Sequence, residues 1–182
     1  MNEYELTKLA IKQDGKEYLE SLKKLGLRVG KNFSMQQECI IDESHCWLIK
    51  IGDDVTLAPR VHILAHDAST KRHLGYTKIG LVEIGNKTFI GAGTIIMPNT
   101  KIGTNCIIGA GSLVTKDIPD NSIAVGVPAK VINTTDKYLA KEKEQMKHRP
   151  VYDSKFTVRE GITDEQKQKM IEDLKDGIGY VE

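Results

Sequence analysis

The chain has 182 residues, of which 40% are hydrophobic and 28% are charged, and its formal net charge is +1 at pH 7. This length suits one compact domain with short appendages, and the composition is that of a globular protein rather than a disordered one. So small a net charge gives no field that would gather a polyanion, and no run of about 18 apolar residues is present. We therefore expect neither a nucleic-acid partner nor a membrane-spanning helix.

The N-terminal segment is charged throughout residues 1–20 and lacks the apolar core of a secretory signal. Within residues 3–25, leucines and a tyrosine stand among lysines and glutamates, and Gly26 follows as a stop signal. This pattern predicts a helix that caps the open end of a repeat region beginning at residue 29. The cysteines are odd in number and show no disulfide pattern, so we expect free thiols and a cytosolic protein: Cys39, Cys46 and Cys106.

Aliphatic residues recur at every sixth position through the middle of the chain. They fall into three series: Ile51, Leu57 and Ile63; Ile84, Ile90, Ile96, Ile102, Ile108 and Val114; Ile123 and Ala129. A period of six fits neither an α-helix, at 3.6, nor a simple alternating strand, at 2. It is typical of a solenoid in which six residues make one short strand and one corner, so that three sides close a triangular coil. A β-sandwich would instead separate its strands by turns of irregular length.

Two further features of the repeat support inward stacking of these aliphatic residues. Glycine or alanine follows most of them, and we expect the glycines to adopt positive φ where the chain turns a corner. Small or β-branched residues stand four positions after the aliphatic residue and keep the interior from overfilling: Val55, Val61, Thr88, Thr94, Thr100, Cys106 and Ser112.

The phase of the repeat is interrupted at three places. Ile63 and Ile84 are 21 residues apart, three more than three whole sides, so we expect an excursion loop at residues 67–80, where function often resides. A second slip lies at residues 118–121. An irregular segment at residues 42–50 separates the main repeat from a candidate opening coil of Val29, Met35 and Ile41.

Two charged helices are predicted beyond the repeat. One spans residues 135–148. The other spans residues 163–176, where Thr163 and Gln166 form a capping-box pattern and Gly177 stands near the stop. The predicted organisation is a helical segment, a repeat domain and a helical extension, at residues 1–28, 29–133 and 134–182.

Two stretches of the repeat region carry a family resemblance. IGDDVTLAPRVHILAHDAS and VEIGNKTFIGAGTIIMPNTKIGTNCIIGAGSLVTKDIPDNSIAVGVPAKVI resemble the hexapeptide-repeat acyltransferases, above all the galactoside/maltose O-acetyltransferases and the capsule and lipopolysaccharide sugar O-acetyltransferases. The resemblance covers roughly residues 29–132. It implies a mainly β fold, the left-handed parallel β-helix, in a cytosolic homotrimer whose three active sites lie between adjacent solenoids. It also implies acetyl-CoA as the co-substrate.

Acetyl transfer needs a general base, and the resemblance points to His66, which ends a V-x-I-x-x-H pattern just before the loop. An imidazole with a pKa of about 6.5 can accept a proton at neutral pH. His62 is the rival base, and His73 in the loop is a candidate contact for either substrate.

His45 lies beside a cysteine, but no further ligands stand at a suitable spacing, so no metal site is predicted. The residue that orients the base, for which Asp67 is one candidate, is left open.

For the acceptor, the resemblance suggests three residues. Asp42 ends the stretch CIID, which is similar to the acceptor-binding stretch of the sugar acetyltransferases, although a surface aspartate at a corner is an equal alternative. Gln37 is a second candidate, at a place where the family often has asparagine. Trp47 could form a stacking wall for a sugar ring, or else belong to the core or to a subunit interface.

For coenzyme A, the lack of bulk at Gly91, Ala92 and Ala110 would let backbone groups approach the pantetheine arm. By resemblance, the amide of Ala92 would meet the thioester. By the same resemblance, Thr115 and Lys116 match the segment that meets the nucleotide end. Lys130 is a candidate contact for the phosphates, at a place where the family more often has arginine, and each lysine could instead be a solvated surface charge.

The function that follows is O-acetylation of a sugar or sugar-containing acceptor from acetyl-CoA, by direct transfer with His66 as the base. N-acetylation of an amino sugar and acetylation of a xenobiotic are alternatives on the same scaffold. A non-catalytic or carbonic-anhydrase-like solenoid is disfavoured, because the latter needs three metal-binding histidines at a spacing that His62, His66 and His73 do not match.

Overall fold

The computed structural model describes residues 15–182, so residues 3–14 of the predicted N-terminal helix lie outside the described part. The described chain forms two compact units, which divide after Thr135. None of the helices in residues 15–182 combines the length and the apolar character that crossing a membrane would require.

The first unit is built from short strands in three sheets, parallel except for the last strand of one of them. Sheet A contains β1 (Arg28–Val29), β4 (Ile49–Ile51), β9 (Val82–Ile84) and β12 (Thr100–Ile102). Sheet B contains β2 (Ser34–Met35), β5 (Thr56–Leu57), β10 (Phe89–Ile90), β13 (Ile107–Ile108), β15 (Ser122–Val125) and the antiparallel β16 (Lys130–Thr134). Sheet C contains β3 (Ile40–Ile41), β6 (His62–Ile63), β11 (Ile95–Ile96) and β14 (Leu113–Val114).

Successive strands of the repeat pass from sheet A to B to C and then return to A, which describes a coil with three sides. The predicted inward residues lie opposite one another in register: Ile51 opposite Ile84, and Ile84 opposite Ile102. The corresponding residues of sheets B and C pair in the same way, and all are essentially buried. The six-residue period of the two main series is therefore confirmed: each side of the coil takes six residues and places one aliphatic residue inward.

The prediction that Ile123 continues the inward series is wrong by one residue. Ile108 lies opposite Ala124, not Ile123, and Ile102 is bridged to Ile118. The last coil is thus two residues shorter than the coils before it, which shifts the inward position. Ala129 does not begin another coil, because the chain reverses there into the antiparallel β16.

The opening coil has the predicted register, with Val29, Met35 and Ile41 opposite the first main series. A 3-10 helix, Glu43–Leu48, accounts for the irregular segment after it.

Helix α1, residues 15–24, lies at the open end of this coil. Leu22 is buried in the core, and the Tyr18 hydroxyl donates to the Ile41 carbonyl (3.0 Å) and accepts from the Ile41 amide (3.1 Å). The phenol thereby pairs backbone groups at the edge of sheet C, and burial raises the pKa of Tyr18.

The glycines that directly follow the inward residues are required for a different reason from the one that the sequence suggested. Positive φ occurs two residues later, at non-glycine residues such as Asp54 and Lys87 as well as at Gly93 and Gly111. At Gly85, a Cβ would lie 2.5 Å from the backbone of Gly103 in the next coil, and at Gly91 it would lie 2.5 Å from the Ala110 nitrogen. Close approach of stacked coils, not turn geometry, therefore requires these glycines.

The small residues of the interior bond to the coil backbone. The Thr88 hydroxyl donates to the Gly103 carbonyl (2.9 Å), and the Thr94 hydroxyl donates to the Gly109 carbonyl (3.1 Å). Cys106 is fully buried. Hydroxyls can occupy this narrow interior because each finds a carbonyl acceptor.

The excursion between the second and third coils is closed by a short antiparallel ladder of β7 (His66–Asp67) and β8 (Lys78–Ile79). Between them lie a 3-10 helix, Ala68–Thr70, and the short α2, Lys71–Leu74. This ladder fixes the backbone of His66 at the point where the chain leaves the coil.

The second unit contains α3 (Thr135–Gln145), which begins at the boundary, and α4 (Asp164–Asp173). Thr163 and Gln166 form the predicted capping box at α4, with both reciprocal bonds present. The sequence did not predict a parallel pair of strands, β17 (Val151–Tyr152) and β18 (Tyr180–Val181), or the 3-10 helices Ser154–Phe156 and Val158–Glu160.

Candidate active site

His66 and Asp42 form a histidine–carboxylate pair at one corner of the coil. The His66 Nδ1 lies 2.5 Å from Asp42 Oδ2, and the His66 side chain is 34% exposed whereas that of Asp42 is 1% exposed. With an ionised carboxylate as acceptor, Nδ1–H is the donor and Nε2 keeps its lone pair. The pair can therefore present a correctly oriented base toward solvent.

Asp42 is held by several bonds. Its Oδ2 also accepts from the Ala65 amide (2.9 Å), and its Oδ1 accepts from the Ser44 amide (3.1 Å) at the start of the 3-10 helix. Burial raises the pKa of Asp42, but the bonds from His66 and Ala65 lower it by more, so the net direction is down. This burial excludes the predicted alternative of a surface aspartate.

Sequence reasoning did not identify Asp42 as the partner of His66, because the two are 24 positions apart. The signal that could have found it is the register of the opening coil. Ile41 lies opposite Ile63, so the residues that follow each of them approach the same corner. Asp67, the other candidate, turns instead to Lys78, and the bond with that ammonium lowers the pKa of Asp67.

Two aromatic rings line the same corner. The His45 ring lies 5.2 Å from that of His66 and 5.3 Å from that of Trp47, centroid to centroid. Trp47 is 51% exposed, which excludes a core position. One ligating atom from each of Asp42, His45 and His66 lies within 4.8 Å of the others, a set that could hold a metal ion and that spacing in the sequence did not reveal.

A groove of about 340 Å³ lies at the corner between sheets B and C. It brings together the predicted acceptor residue Gln37 and the predicted coenzyme residue Ala92. A charged pair flanks it, Arg60 Nε to Glu38 Oε2 at 2.7 Å. Gly93 also lines the groove with φ of 67°, and the space beside it is open.

The predicted coenzyme residues are distributed over both ends of sheet C. Ala92 and Ala110 lie before its strands and are exposed, whereas Thr115 and Lys116 follow β14, at the end where His66 follows β6. Lys130 begins β16 in sheet B and is exposed. Gly91 is buried, so its lack of a side chain is explained by the coil stacking described above.

Two further histidines that the sequence singled out, His62 and His73, are not among the partners of Asp42. His62 lies in β6 and is partly exposed, opposite Ile95. His73 lies in α2 of the excursion and is exposed.

Comparisons with known proteins show what this three-sided parallel coil resembles. Residues 82–116 match the family model "Bacterial transferase hexapeptide (six repeats)". The chain is 38% identical over 121 residues to the galactoside O-acetyltransferase of Escherichia coli K12, a match that covers 62% of this chain and 57% of that protein. It is likewise 38% identical to the galactoside O-acetyltransferase of Lactococcus lactis, over 61% of this chain and 54% of that protein.

Solved structures show the same resemblance. A maltose O-acetyltransferase from Clostridium difficile 630 is 41% identical with a TM-score of 0.52, covering 60% of this chain and 59% of that one. A galactoside acetyltransferase in complex with coenzyme A is 36% identical with a TM-score of 0.56, covering 62% of this chain and 57% of that one. The recognised resemblance is thus confirmed, and the chain spans somewhat more than half the length of the relatives it matches.

Proposed function

We propose that this chain is an acetyl-CoA-dependent O-acetyltransferase that acts on a sugar or sugar-containing acceptor. The observation that carries the proposal is the bond between Asp42 and His66, which leaves Nε2 free to accept a proton. The relatives support the substrate classes: two are named galactoside O-acetyltransferases, one is a maltose O-acetyltransferase, and one was solved with coenzyme A.

In the mechanism we propose, His66 Nε2 takes the proton of an acceptor hydroxyl as its oxygen attacks the thioester carbonyl. Asp42 holds the ring in the Nδ1–H tautomer and stabilises the imidazolium that forms. Backbone amides, with that of Ala92 as the candidate, stabilise the tetrahedral oxyanion. Collapse breaks the carbon–sulfur bond, and the imidazolium returns its proton to the coenzyme A thiolate.

Direct transfer agrees with the state of the cysteine in the middle of the repeat. Cys106 is fully buried, its thiol donates to the Pro119 carbonyl (3.1 Å), and burial raises its pKa. A thiol in this setting is a poor nucleophile, since thiolate is the reactive form.

We propose that Asp42 acts on the base rather than on the acceptor, because both of its oxygens already accept bonds from the protein. Trp47 is then the candidate wall for a sugar ring. It is half exposed and lies beside the His45 ring at the His66 corner. Amphipathic aromatic faces pack well on the apolar faces of sugars.

We further propose that the coil is left-handed, as in the hexapeptide family, and that three copies form a trimer. The outward residues of sheet A are charged: Arg28, Lys50, Glu83 and Lys101. Those of sheets B and C include exposed or half-exposed apolar side chains: Ile40, Phe89, Ile95, Ile107 and Leu113. Two apolar faces and one charged face suit a ring in which sheet B of one copy packs on sheet C of the next.

Such a ring would also complete the site. Ala92 precedes β11 and His66 follows β6, its neighbour in sheet C, so the two lie at opposite ends of one side. A copy packed on that side would bring its own groove toward His66. Binding of coenzyme A between two copies would explain why candidate coenzyme residues lie at both ends of sheet C.

We expect sedimentation equilibrium to give a mass three times the 20.3 kDa of the chain, down to low concentration. Phe89→Lys should dissociate the trimer, because it places a charge in the apolar face of sheet B. Glu83→Lys, on the charged face of sheet A, is the matched control and should leave the trimer intact. A monomeric wild-type chain would contradict both the assembly and the shared site.

A screen of coenzyme A release tests the function. We expect acetyl-CoA turnover with galactosides, maltose or related sugars, and the product should carry an ester, which mild base cleaves. An amide product from an amino sugar, or turnover confined to an antibiotic, would favour the alternatives and contradict sugar O-acetylation. The cytosolic location stays a prediction.

A further inference from the structure

His45 holds a buried ring nitrogen, Nδ1, that is unpaired in the described part of the chain. Its Nδ1 is shielded from solvent and makes no hydrogen bond within residues 15–182. The nearest charged oxygen, Oδ1 of Asp42, is 4.0 Å away, beyond hydrogen-bond distance. Buried polar atoms are nearly always paired, so this nitrogen is available to bond a ligand.

The atoms around this nitrogen form a donor set for a transition metal. His45, His66 and Asp42 each offer one ligand atom, and the three atoms lie within 4.8 Å of one another. Two imidazoles and one carboxylate suit zinc and related ions, whereas magnesium and calcium prefer oxygen ligands alone. We propose that Asp42, His45 and His66 bind a zinc ion, with the fourth position open to water.

The geometry permits this with small movements. Zinc lies about 2.0–2.2 Å from nitrogen and oxygen ligands, so ligand atoms around a tetrahedral ion are roughly 3.4 Å apart. His45 Nδ1, now 4.0 Å from Asp42 Oδ1, would move closer to reach this spacing. The pair His66 Nδ1 and Asp42 Oδ2, now 2.5 Å apart, would separate once zinc replaces the proton between them. The His45 and His66 side chains are 27% and 34% exposed, so the ion can enter from solvent.

Zinc at this site would block the base, a consequence that rests on the proposed function. A metal ion on Nδ1 requires the single proton of the neutral imidazole to reside on Nε2. Nε2–H can donate but cannot take a proton from an acceptor hydroxyl. The ion and the acetyl-transfer reaction therefore exclude each other.

Equilibrium dialysis of the metal-stripped, full-length chain against Zn²⁺ tests the site directly. We expect one zinc per chain, and His45→Asn should weaken binding by about tenfold or more. His62→Asn removes a partly exposed histidine outside the cluster and should leave zinc affinity unchanged. Absence of zinc binding by the wild-type chain, or equal affinity in His45→Asn, would overturn the proposal.

The activity measurement separates this proposal from the proposed function. With an acceptor found by the screen, zinc should inhibit the wild-type chain, whereas the rate of His45→Asn, measured with and without zinc, should not change when zinc is added. Equal inhibition of both proteins would overturn the site. If no acceptor supports turnover, that result counts against the acetyltransferase alone, since dialysis still decides whether the site exists.

Discussion

His66→Ala is expected to lower kcat for acetyl transfer by about 10²–10⁴-fold, the usual contribution of a positioned general base. The methyl group cannot accept the hydroxyl proton, so the attacking oxygen would remain a neutral, weak nucleophile. The KM for acetyl-CoA should change little, because coenzyme binding is assigned to backbone groups and lysines. Steady-state kinetics with an acceptor in excess measures both constants.

His62→Ala is the matched control for this prediction. It removes the rival histidine from β6, four residues earlier, and should retain most of the activity. Thermal unfolding and sedimentation should show that both variants remain folded and assembled, since His66 is only partly buried. A near-normal rate in His66→Ala, or a larger loss in His62→Ala, would remove His66 as the base.

Asp42→Asn is expected to lower kcat by about 10²-fold or more, because an amide can donate to Nδ1 and so favour the tautomer with its proton on Nε2. The change also weakens the bonds to Ala65 and Ser44, so the free energy of unfolding should fall by about 1–3 kcal/mol. Kinetics are therefore measured well below the unfolding temperature. A role in orienting the base predicts a loss in kcat with the KM for the acceptor nearly unchanged.

Asp67→Asn distinguishes the two carboxylates that flank His66. Asp67 is adjacent in sequence, but it pairs with Lys78 and caps the 3-10 helix through the Ser69 amide, a bond that asparagine can keep. Its kcat should stay within about threefold of wild type, as expected when an exposed ion pair is removed. If Asp42→Asn instead raises KM for the acceptor at constant kcat, Asp42 binds the acceptor, as the resemblance first suggested.

The sequence named the candidate site residues one at a time, and it did not predict the contacts between them. The resemblance pointed to His66 from its pattern and its place before the excursion, and Trp47 lies beside the His45 ring, which in turn lies beside that of His66. Gln37 and Ala92 do share a groove, although one was predicted for the acceptor and the other for the coenzyme. No sequence pattern separates the two roles, because both residues reach the groove at the same corner, Gln37 from the first coil and Ala92 from the third.

The glycines show how a correct pattern can have a different cause. Gly85 and Gly91 were predicted as turn residues, yet the turns use positive φ at residues such as Asp54 and Lys87. A side chain is excluded at these two glycines because a Cβ there would lie 2.5 Å from the backbone of the next coil. Sequence shows that a position needs to be small, whereas only the packing shows what it must avoid.

The sequence by itself determined the three-sided coil, because each side consumes six residues and the inward isoleucines must stack to be buried. It also determined the capped helix after Thr163, since a capping box is satisfied within four residues. Tertiary structure alone decided the Asp42–His66 pair and the orphan nitrogen of His45. Both depend on the opening coil, whose 3-10 helix returns a distant segment to the corner below His66. Contacts of this kind arise where coils stack on one another. A periodic sequence specifies that the coils stack, but it does not specify which irregular segments come into contact as a result.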